Sequence, residues 1–152
     1  MRVGLISDTH GLLRPEAVRA LQGVDLIIHA GDVGRPDILS SLKQIAPVFA
    51  VRGNVDTDPW ASELPLSTVV EADHAVFYVL HNLDHLDLKP EAAGFHFVVT
   101  GHTHQPHQFE RNGVLYLNPG SAGPRRFHLP ISLALLDLAR KPWSPQLTHL
   151  LT

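Results

Sequence analysis

The chain has 152 residues, of which 44% are hydrophobic and 18% are charged, and its formal net charge at pH 7 is −3. This composition is ordinary for a globular protein, and the small acidic excess argues against a general nucleic-acid binder. No cysteine is present, which excludes disulfides and thiolate metal sites. The apolar runs are too short for a membrane span and no secretion leader is recognisable, so we expect one cytoplasmic domain over residues 1–152.

The first half of the chain is predicted to alternate strands and helices. Short apolar runs at 3–6, 26–28 and 48–51 are typical of buried strands. Pro15 occupies a plausible first position of a helix that continues to Leu21, and Pro36 does the same for a helix of about 37–45. Strand–helix–strand alternation implies parallel strands joined by right-handed crossovers.

The second half is predicted to be rich in hairpins. Asn112-Gly113 separates two apolar runs and is a strong signal for a two-residue hairpin turn. The other predicted elements are a strand pair at 67–71 and 75–80, a short helix at 87–93 closed by Gly94, a strand at 95–99, and strands at 131–137 and 146–151. A parallel front half and a hairpin-rich back half indicate two mixed sheets packed face to face, with helices outside.

Side chains that can bind a metal follow five of the predicted strands. They are Asp8 and His10, Asp32, Asn54, His81, and the pair His102 and His104. Because ligands gather outside the carboxyl ends of strands in such sheets, we expect these seven donors to share one rim. Oxygen and nitrogen donors of this kind suit divalent ions, and two adjacent ions can promote phosphoryl transfer.

Each of these signals has an ordinary structural interpretation when it is taken alone. Asp8 could cap a helix, Gly31-Asp32 and Gly53-Asn54 could be simple turns, and His81 could be a core histidine. Their recurrence at five strand ends favours the metal interpretation. Asn54 is informative because a neutral amide can ligate a metal through oxygen while its NH₂ group donates to a phosphate oxygen. Asp56 is predicted to orient a loop or a ligand.

The ordered motifs resemble those of the calcineurin-like metallophosphoesterase superfamily. They are Asp8-Thr9-His10-Gly11, Gly31-Asp32-Val33, Gly53-Asn54-Val55-Asp56, the strand-end His81, and Gly101-His102-Thr103-His104. The small size and the later Asn118-Pro119-Gly120-Ser121 resemble the compact, single-domain branch of prokaryotic phosphodiesterases. The resemblance implies an α/β fold, a four-layered αββα sandwich of two mixed β-sheets flanked by helices.

The resemblance also implies a pair of divalent metal ions. One ion would be held by Asp8, His10, Asp32 and His104, and the other by Asp32, Asn54, His81 and His102, with Asp32 bridging. Manganese is the expected metal, and iron, zinc, nickel and magnesium are alternatives. Two departures stand out, since Asn82 follows His81 where the family usually has glycine, and Val55 stands where larger members carry histidine as a proton donor.

The activity implied by this resemblance is hydrolysis of small phosphate diesters by a metal-bridging hydroxide. Asn54 and His102 are then the catalytic residues, and Asn54 and Arg125 are the candidate substrate contacts. The main alternative is a non-catalytic protein-interaction scaffold of the same fold, like the retromer small subunit. A zinc-storage protein is disfavoured because the histidines stand at strand ends and not in a flexible tract. Pairing of exposed hairpins could also join copies of this chain into a homo-oligomer.

Overall fold

The computed structural model describes residues 1–151, which form ten strands and two α-helices. In chain order these elements are β1 (Arg2–Ile6), α1 (Pro15–Ala20), β2 (Leu26–His29), α2 (Pro36–Lys43), β3 (Val48–Ala50), β4 (Ser67–Ala72), β5 (Ala75–Leu80), β6 (Phe97–Val99), β7 (His107–Arg111), β8 (Val114–Asn118), β9 (Ser132–Asp137) and β10 (Gln146–His149). Two short 3₁₀ helices lie at Pro59–Glu63 and Leu83–His85. Neither α-helix of this part of the chain has the length and hydrophobicity needed to cross a bilayer.

The strands form two mixed five-stranded sheets. The first has the order β10-β9-β1-β2-β3, and the second has the order β4-β5-β6-β8-β7. The predicted parallel arrangement of β1, β2 and β3 is confirmed, and β9 and β10 extend that sheet in antiparallel fashion. In the second sheet β5, β6 and β8 are parallel, while the hairpins place β4 and β7 antiparallel at the edges.

The alternation of side chains along β1 shows how the layers form. Val3 and Leu5 point between the two sheets, where they join a core that includes Phe77 and Phe97 of the second sheet. Ile6 belongs to a second cluster that packs the first sheet against α1 and α2. Because β1 lies in the middle of its sheet and is buried on both faces, its carboxyl end is held rigidly between the layers.

The predicted hairpins are confirmed by turn geometry. Asn112 and Gly113 both have positive φ, 53° and 79°, as the two central residues of a type I′ turn require. The pair 67–71 and 75–80 is likewise a hairpin, now with β4 extended to Ala72. The α/β sandwich of two mixed sheets is therefore confirmed.

The helix predicted over 87–93 is wrong. Residues 90–94 form a turn, in which the N–H groups of Ala92 and Ala93 both donate to the carbonyl of Lys89. Pro90 has no N–H and Gly94 has a φ of 78°, so the segment does not extend into regular helix. The outer face of the second sheet is covered instead by Leu83 of the 3₁₀ helix and by Leu86 and Phe95. Helix α2 ends at Lys43, two residues before the predicted end, and Gln44 is its C-cap.

Candidate metal centre

Five strands from both sheets end at one rim and deliver their following loops to the same place. The loops after β1 and β2 are joined by backbone hydrogen bonds, from the Asp8 N–H to the Gly31 carbonyl at 3.0 Å and from the His10 N–H to the Asp32 carbonyl at 2.9 Å. In the second sheet, the Gly101 N–H donates to the carbonyl of His81 at 2.9 Å. These bonds join two pairs of neighbouring loops, which together carry six of the seven predicted donors.

A first group of donors forms around Asp8, which is fully buried. Its Oδ1 lies 3.3 Å from Nε2 of His104 and 3.6 Å from Nε2 of His10. Among residues 1–151 the same Oδ1 has no hydrogen-bond partner, and neither has the buried Nδ1 of His104. A buried, unpartnered carboxylate oxygen facing two imidazole nitrogens is the kind of position that a cation satisfies.

A second group of donors forms around His81. Its Nε2 lies 3.2 Å from Oδ2 of Asp32 and 3.0 Å from Oδ1 of Asn54. The Asn54 Oδ1 is also 3.2 Å from Nδ1 of His102. This group is more open to solvent than the first, because Asn54 and His102 are exposed while His81 is buried.

Asp32 belongs to both groups through one oxygen. Its Oδ2 lies 3.5 Å from Nε2 of His10 and 3.2 Å from Nε2 of His81. Its other oxygen, Oδ1, accepts a hydrogen bond from the Val55 N–H at 3.0 Å, which fixes the orientation of the carboxylate. One carboxylate oxygen therefore stands between the two sets of donors.

The protonation of His81 shows why the centre requires positive charge. Its Nδ1 is 2.7 Å from the carbonyl oxygen of Ala30, so Nδ1 carries a proton and donates it there. In the neutral ring, Nε2 then presents a lone pair to Asp32 and Asn54, which present oxygen atoms in return. Converging acceptors repel one another unless a proton or a cation lies between them, and the fit to a divalent cation is therefore good.

Without a metal ion, this arrangement favours a proton on the imidazole of His81. Burial by itself lowers the pKa of His81, but the carboxylates of Asp32 and Asp8 outweigh it and raise that pKa above its ordinary value. Burial likewise tends to raise the pKa values of Asp8 and Asp32. The imidazoles around each carboxylate reverse this tendency and lower both values. Both carboxylates are therefore ionised at neutral pH and attract cations.

The backbone at the centre is held in an uncommon conformation. Five of the predicted ligands have positive φ, namely Asp8 (56°), His10 (46°), Asp32 (56°), His102 (74°) and His104 (63°). Such values are unfavourable for residues with a Cβ and cluster at functional sites. The loops adopt them because the hydrogen bonds between neighbouring loops hold the backbone in place.

Two glycines allow the loops to approach one another closely. A Cβ on Gly31 would lie 2.7 Å from Nδ1 of His81, at a residue whose φ is 101°. A Cβ on Gly53 would overlap the backbone nitrogen of Asp32. At both positions a larger residue would clash with its neighbours, so glycine is needed there for steric reasons as well as for turning the chain.

Asp56 organises two of the loops without being one of the predicted ligands. It is buried, and its carboxylate accepts the N–H groups of Val33 at 3.1 Å, Gly34 at 2.9 Å and Gly53 at 2.9 Å. One side chain thereby ties the loop of Asp32 to the loop of Asn54. Its spacing after Asn54 was the only sequence signal for this orienting role.

The motif Asn118-Pro119-Gly120-Ser121 supports the centre from below. The Asn118 amide donates to the carbonyl of Gly101 at 2.9 Å and to Oγ1 of Thr103 at 3.0 Å. The Ser121 hydroxyl donates to the carbonyl of Asp8 at 2.9 Å. The sequence identified this motif only as a family resemblance, and no local pattern revealed these contacts.

His29 is a buried histidine beneath the centre. Its Nδ1 accepts the N–H of Gly31 at 3.1 Å, so Nε2 carries the proton and donates to Oγ1 of Thr9 at 3.1 Å. The Thr9 hydroxyl in turn donates to the carbonyl of Val33 at 2.8 Å. Complete burial lowers the pKa of His29 to about 4, which keeps the ring neutral and this chain of bonds intact.

Two cavities open beside the exposed part of the centre. The first has a volume of about 390 Å³ and reaches from Asn54 and His102 to Arg52 and Tyr78. The second has a volume of about 340 Å³ and includes the aromatic side chains of Phe109 and Tyr116. His102 and Asn82 line both cavities, so the two spaces meet next to the predicted ligand His102.

The predicted substrate contact Arg125 lies elsewhere in the described chain. Its guanidinium is exposed and donates to the carbonyl of Leu129 at 3.3 Å, and Arg125 lines neither of these two cavities. Arg52 is the arginine that lines the first cavity. Sequence reasoning did not select Arg52, although it stands only two residues before Asn54.

Comparison with known proteins agrees with the motifs. The model of the Calcineurin-like phosphoesterase superfamily domain matches residues 1–141. A probable metallophosphoesterase of Methanothermobacter thermautotrophicus is 37% identical over 147 residues, covering 89% of this chain and 85% of the relative. A phosphodiesterase of Methanocaldococcus jannaschii is 25% identical over 162 residues, covering 94% of this chain and 96% of the relative.

Solved structures share the fold over almost the whole chain. A predicted phosphoesterase from Streptococcus pneumoniae TIGR4 superposes with a TM-score of 0.77 at 26% identity, covering 98% of this chain and 89% of that one. Vacuolar Protein Sorting 29 from Cryptosporidium parvum superposes with a TM-score of 0.76 at 23% identity, covering 97% of this chain and 96% of that one, which shows a common fold. With a family model matched from residue 1 to residue 141, the chain belongs to the calcineurin-like phosphoesterase superfamily.

Proposed function

We propose that the chain is a phosphodiesterase that works with two divalent metal ions bound at the candidate centre. The observation that carries this proposal is the position of Asp32, whose Oδ2 lies 3.5 Å from His10 and 3.2 Å from His81, in separate groups of donors. A single oxygen between two donor sets suits a ligand that bridges two cations. With one ion, one of the two sets would be left as an unpaired cluster of acceptors.

The two donor sets correspond to two ion positions. Asp8, His10, His104 and Asp32 would hold the first ion, and Asp32, Asn54, His81 and His102 would hold the second. This ligand set has carboxylate, amide and imidazole donors only, and manganese is the metal that we propose, with iron, zinc, nickel and magnesium as the alternatives to compare. When bound, the ions supply an activated water for attack on phosphorus and neutralise charge on the phosphate.

Asn54 and His102 are the predicted ligands closest to solvent, and both line the first cavity. The Oδ1 of Asn54 faces His81 and His102, so its NH₂ group is left to donate to a non-bridging phosphate oxygen. Such a bond stabilises charge that develops on phosphorus oxygens during the reaction. His102 is fixed by its backbone N–H, which donates to Oδ2 of Asp8 at 3.1 Å.

The two cavities support a diester as the substrate. A diester carries two organic substituents on phosphorus, and the two cavities meet at His102 and Asn82. Each has the size of a small-ligand pocket and could receive one substituent. The relative from Methanocaldococcus jannaschii, named as a phosphodiesterase, supports the same substrate class.

The test is hydrolysis of bis(p-nitrophenyl) phosphate by the manganese-loaded protein, compared with hydrolysis of the monoester p-nitrophenyl phosphate. We expect faster turnover of the diester, loss of activity on chelation, and loss of activity in His102→Ala. His149→Ala, which removes an exposed histidine on β10, is the matched control and should behave as the wild type. A monoester preference would overturn the diester assignment.

The non-catalytic scaffold remains the alternative, because Vacuolar Protein Sorting 29 from Cryptosporidium parvum has the same fold. All seven predicted donors are present and grouped in this chain, which favours the enzyme. Binding of two metal ions without hydrolysis of any diester or monoester would favour the scaffold.

A further inference from the structure

We propose that Arg52 binds an anionic group on one ester substituent, so that the enzyme prefers diesters carrying an additional phosphate beside the scissile one. This inference rests on the proposed function, since it concerns the substrate of the same centre. Arg52 follows β3, and its backbone N–H donates to the carbonyl of Pro65 at 2.8 Å. The residue is thereby anchored at the wall of the first cavity, which also includes Asn54 and His102.

The side chain of Arg52 has an unsatisfied hydrogen-bonding group. Its Nε is buried from solvent and has no partner in residues 1–151. Within the same part of the chain, no carboxylate forms an ion pair with its guanidinium. Guanidinium is charged at every physiological pH, and a buried donor without a partner is unfavourable. An anion from a ligand would neutralise the charge of the guanidinium, and a turn of the side chain towards the cavity would bring the free Nε–H donor to the same anion.

The cavity is too large for the scissile phosphate alone. Its volume of about 390 Å³ falls in the range of pockets for small organic ligands. Leu66, Tyr78 and Leu80 contribute apolar walls, while Arg52 contributes the positive charge. Asp87 also lines the cavity and would repel an anion at its own side, so the anion belongs at the Arg52 side. The substituent that fits is one with a ring or aliphatic body and a terminal phosphate, as in a nucleotide.

The test compares two dinucleotides that differ by a single phosphate, TpT and its 5′-phosphorylated form pTpT. Each is measured as a competitor of bis(p-nitrophenyl) phosphate hydrolysis, so an inhibition constant is obtained whether or not the dinucleotide is cleaved. We expect pTpT to bind the wild type about tenfold more tightly than TpT, as a charge-assisted hydrogen bond allows. In Arg52→Met the two constants should become equal, and in Arg52→Lys the difference should be intermediate.

Arg19→Met is the matched control, because it removes one exposed arginine from α1 and leaves the cavity unchanged. It should keep the wild-type ratio of the two inhibition constants. Equal constants in the wild type, no competition by either dinucleotide, or an unchanged ratio in Arg52→Met would each overturn the proposal.

A second measurement does not depend on turnover. The NMR signal of the Arg52 Nε–H group, assigned by its absence from Arg52→Met, is followed while metal-free protein is titrated with each dinucleotide. It should shift with pTpT and stay in place with TpT. If the wild type hydrolyses no ester, the proposed function fails, and this titration still decides whether Arg52 binds the added phosphate. If the Nε–H signal does not shift with pTpT, Arg52 does not bind the added phosphate and the proposal is wrong.

Discussion

The Nε2 atoms of His10 and His104 lie 3.2 Å apart, although 94 positions separate these residues in the chain. His10 comes from the loop after a strand of the first sheet, and His104 from the loop after a strand of the second. Two imidazole nitrogens at this distance either share one proton or direct both lone pairs at a common cation. The unpartnered Oδ1 of Asp8 beside them makes the cation the better explanation.

Replacing Asp32 should damage metal binding more than replacing Asp8. Asp32→Asn removes the shared charge between the two donor groups, so both ions should be bound more weakly. Asp8→Asn leaves His81, Asn54 and Asp32 in place and should retain one ion. The metal content after dialysis against manganese, together with calorimetric titration, measures the difference in metal binding between the two variants. In both variants the rate of diester hydrolysis should fall by more than about 100-fold.

Asp37→Asn is the control for these two variants, since Asp37 is exposed and forms its ion pair with Arg35 on the surface. It should bind two ions, as the wild type does. Full metal content in Asp32→Asn would contradict the bridging role of that carboxylate.

Asp56→Ala should destabilise the protein without removing a ligand. Three N–H groups lose their common acceptor, and unsatisfied buried donors cost about 1–3 kcal/mol each, so we expect a loss of at least about 3 kcal/mol in the free energy of unfolding. Urea unfolding of the metal-free protein measures this loss of stability. Asp37→Ala, which breaks one exposed ion pair, should cost less than about 1 kcal/mol. Similar losses in the two variants would show that Asp56 has no special role in joining the loops.

His29 should make the protein less stable in mild acid. Its pKa is about 4 in the folded protein against about 6.5 in an unfolded chain, so between these values only the unfolded chain takes up the proton. Stability from this group is complete above about pH 6.5 and is lost as the pH falls toward 4. The full loss is on the order of 3 kcal/mol.

His29→Gln tests this, because glutamine can donate to Thr9 and accept from Gly31 but does not titrate. We compare urea unfolding of both metal-free proteins at about pH 7 and about pH 5. From about pH 7 to about pH 5, the free energy of unfolding should fall by about 2 kcal/mol more in the wild type than in the variant. The other titrating groups are the same in both proteins, so their contributions largely cancel in this difference. Equal losses would mean that His29 is not the group responsible.

Gly53→Ala should weaken metal binding through Asp32. The added Cβ overlaps the backbone nitrogen and carboxylate of Asp32, and Gly53 has no positive φ that would add strain of its own. We expect manganese affinity to fall by at least about tenfold. Gly113→Ala meets no neighbour within 4 Å and should leave metal affinity unchanged, despite some cost in stability at its φ of 79°. Calorimetric titration of both variants with manganese measures the two affinities. Equal affinities would mean that the close approach of Gly53 to Asp32 is not needed for metal binding.

The strands and hairpin turns could be predicted from the sequence, because they depend on residues that are close together in the chain. Apolar runs of three to six residues predicted the strands, and Asn112-Gly113 predicted a turn that needs two positive φ angles. The helix expected at 87–93 does not form, because Pro90 lacks the N–H that an interior helical position requires, and Leu83, Leu86 and Phe95 on either side of the turn pack on the sheet instead.

The amino-acid sequence was enough to predict that the polar residues following the strands meet at one rim, because the carboxyl ends of parallel strands lie at the same edge of a sheet. Three relationships emerge from the folded chain alone: Asp32 stands between two donor groups, Asp56 joins two loops, and Arg52 lines a cavity while its Nε has no partner among residues 1–151. These relationships join residues from different loops, often from different sheets. Their distances depend on how the two sheets pack, and packing is a property of the whole core that no local pattern encodes.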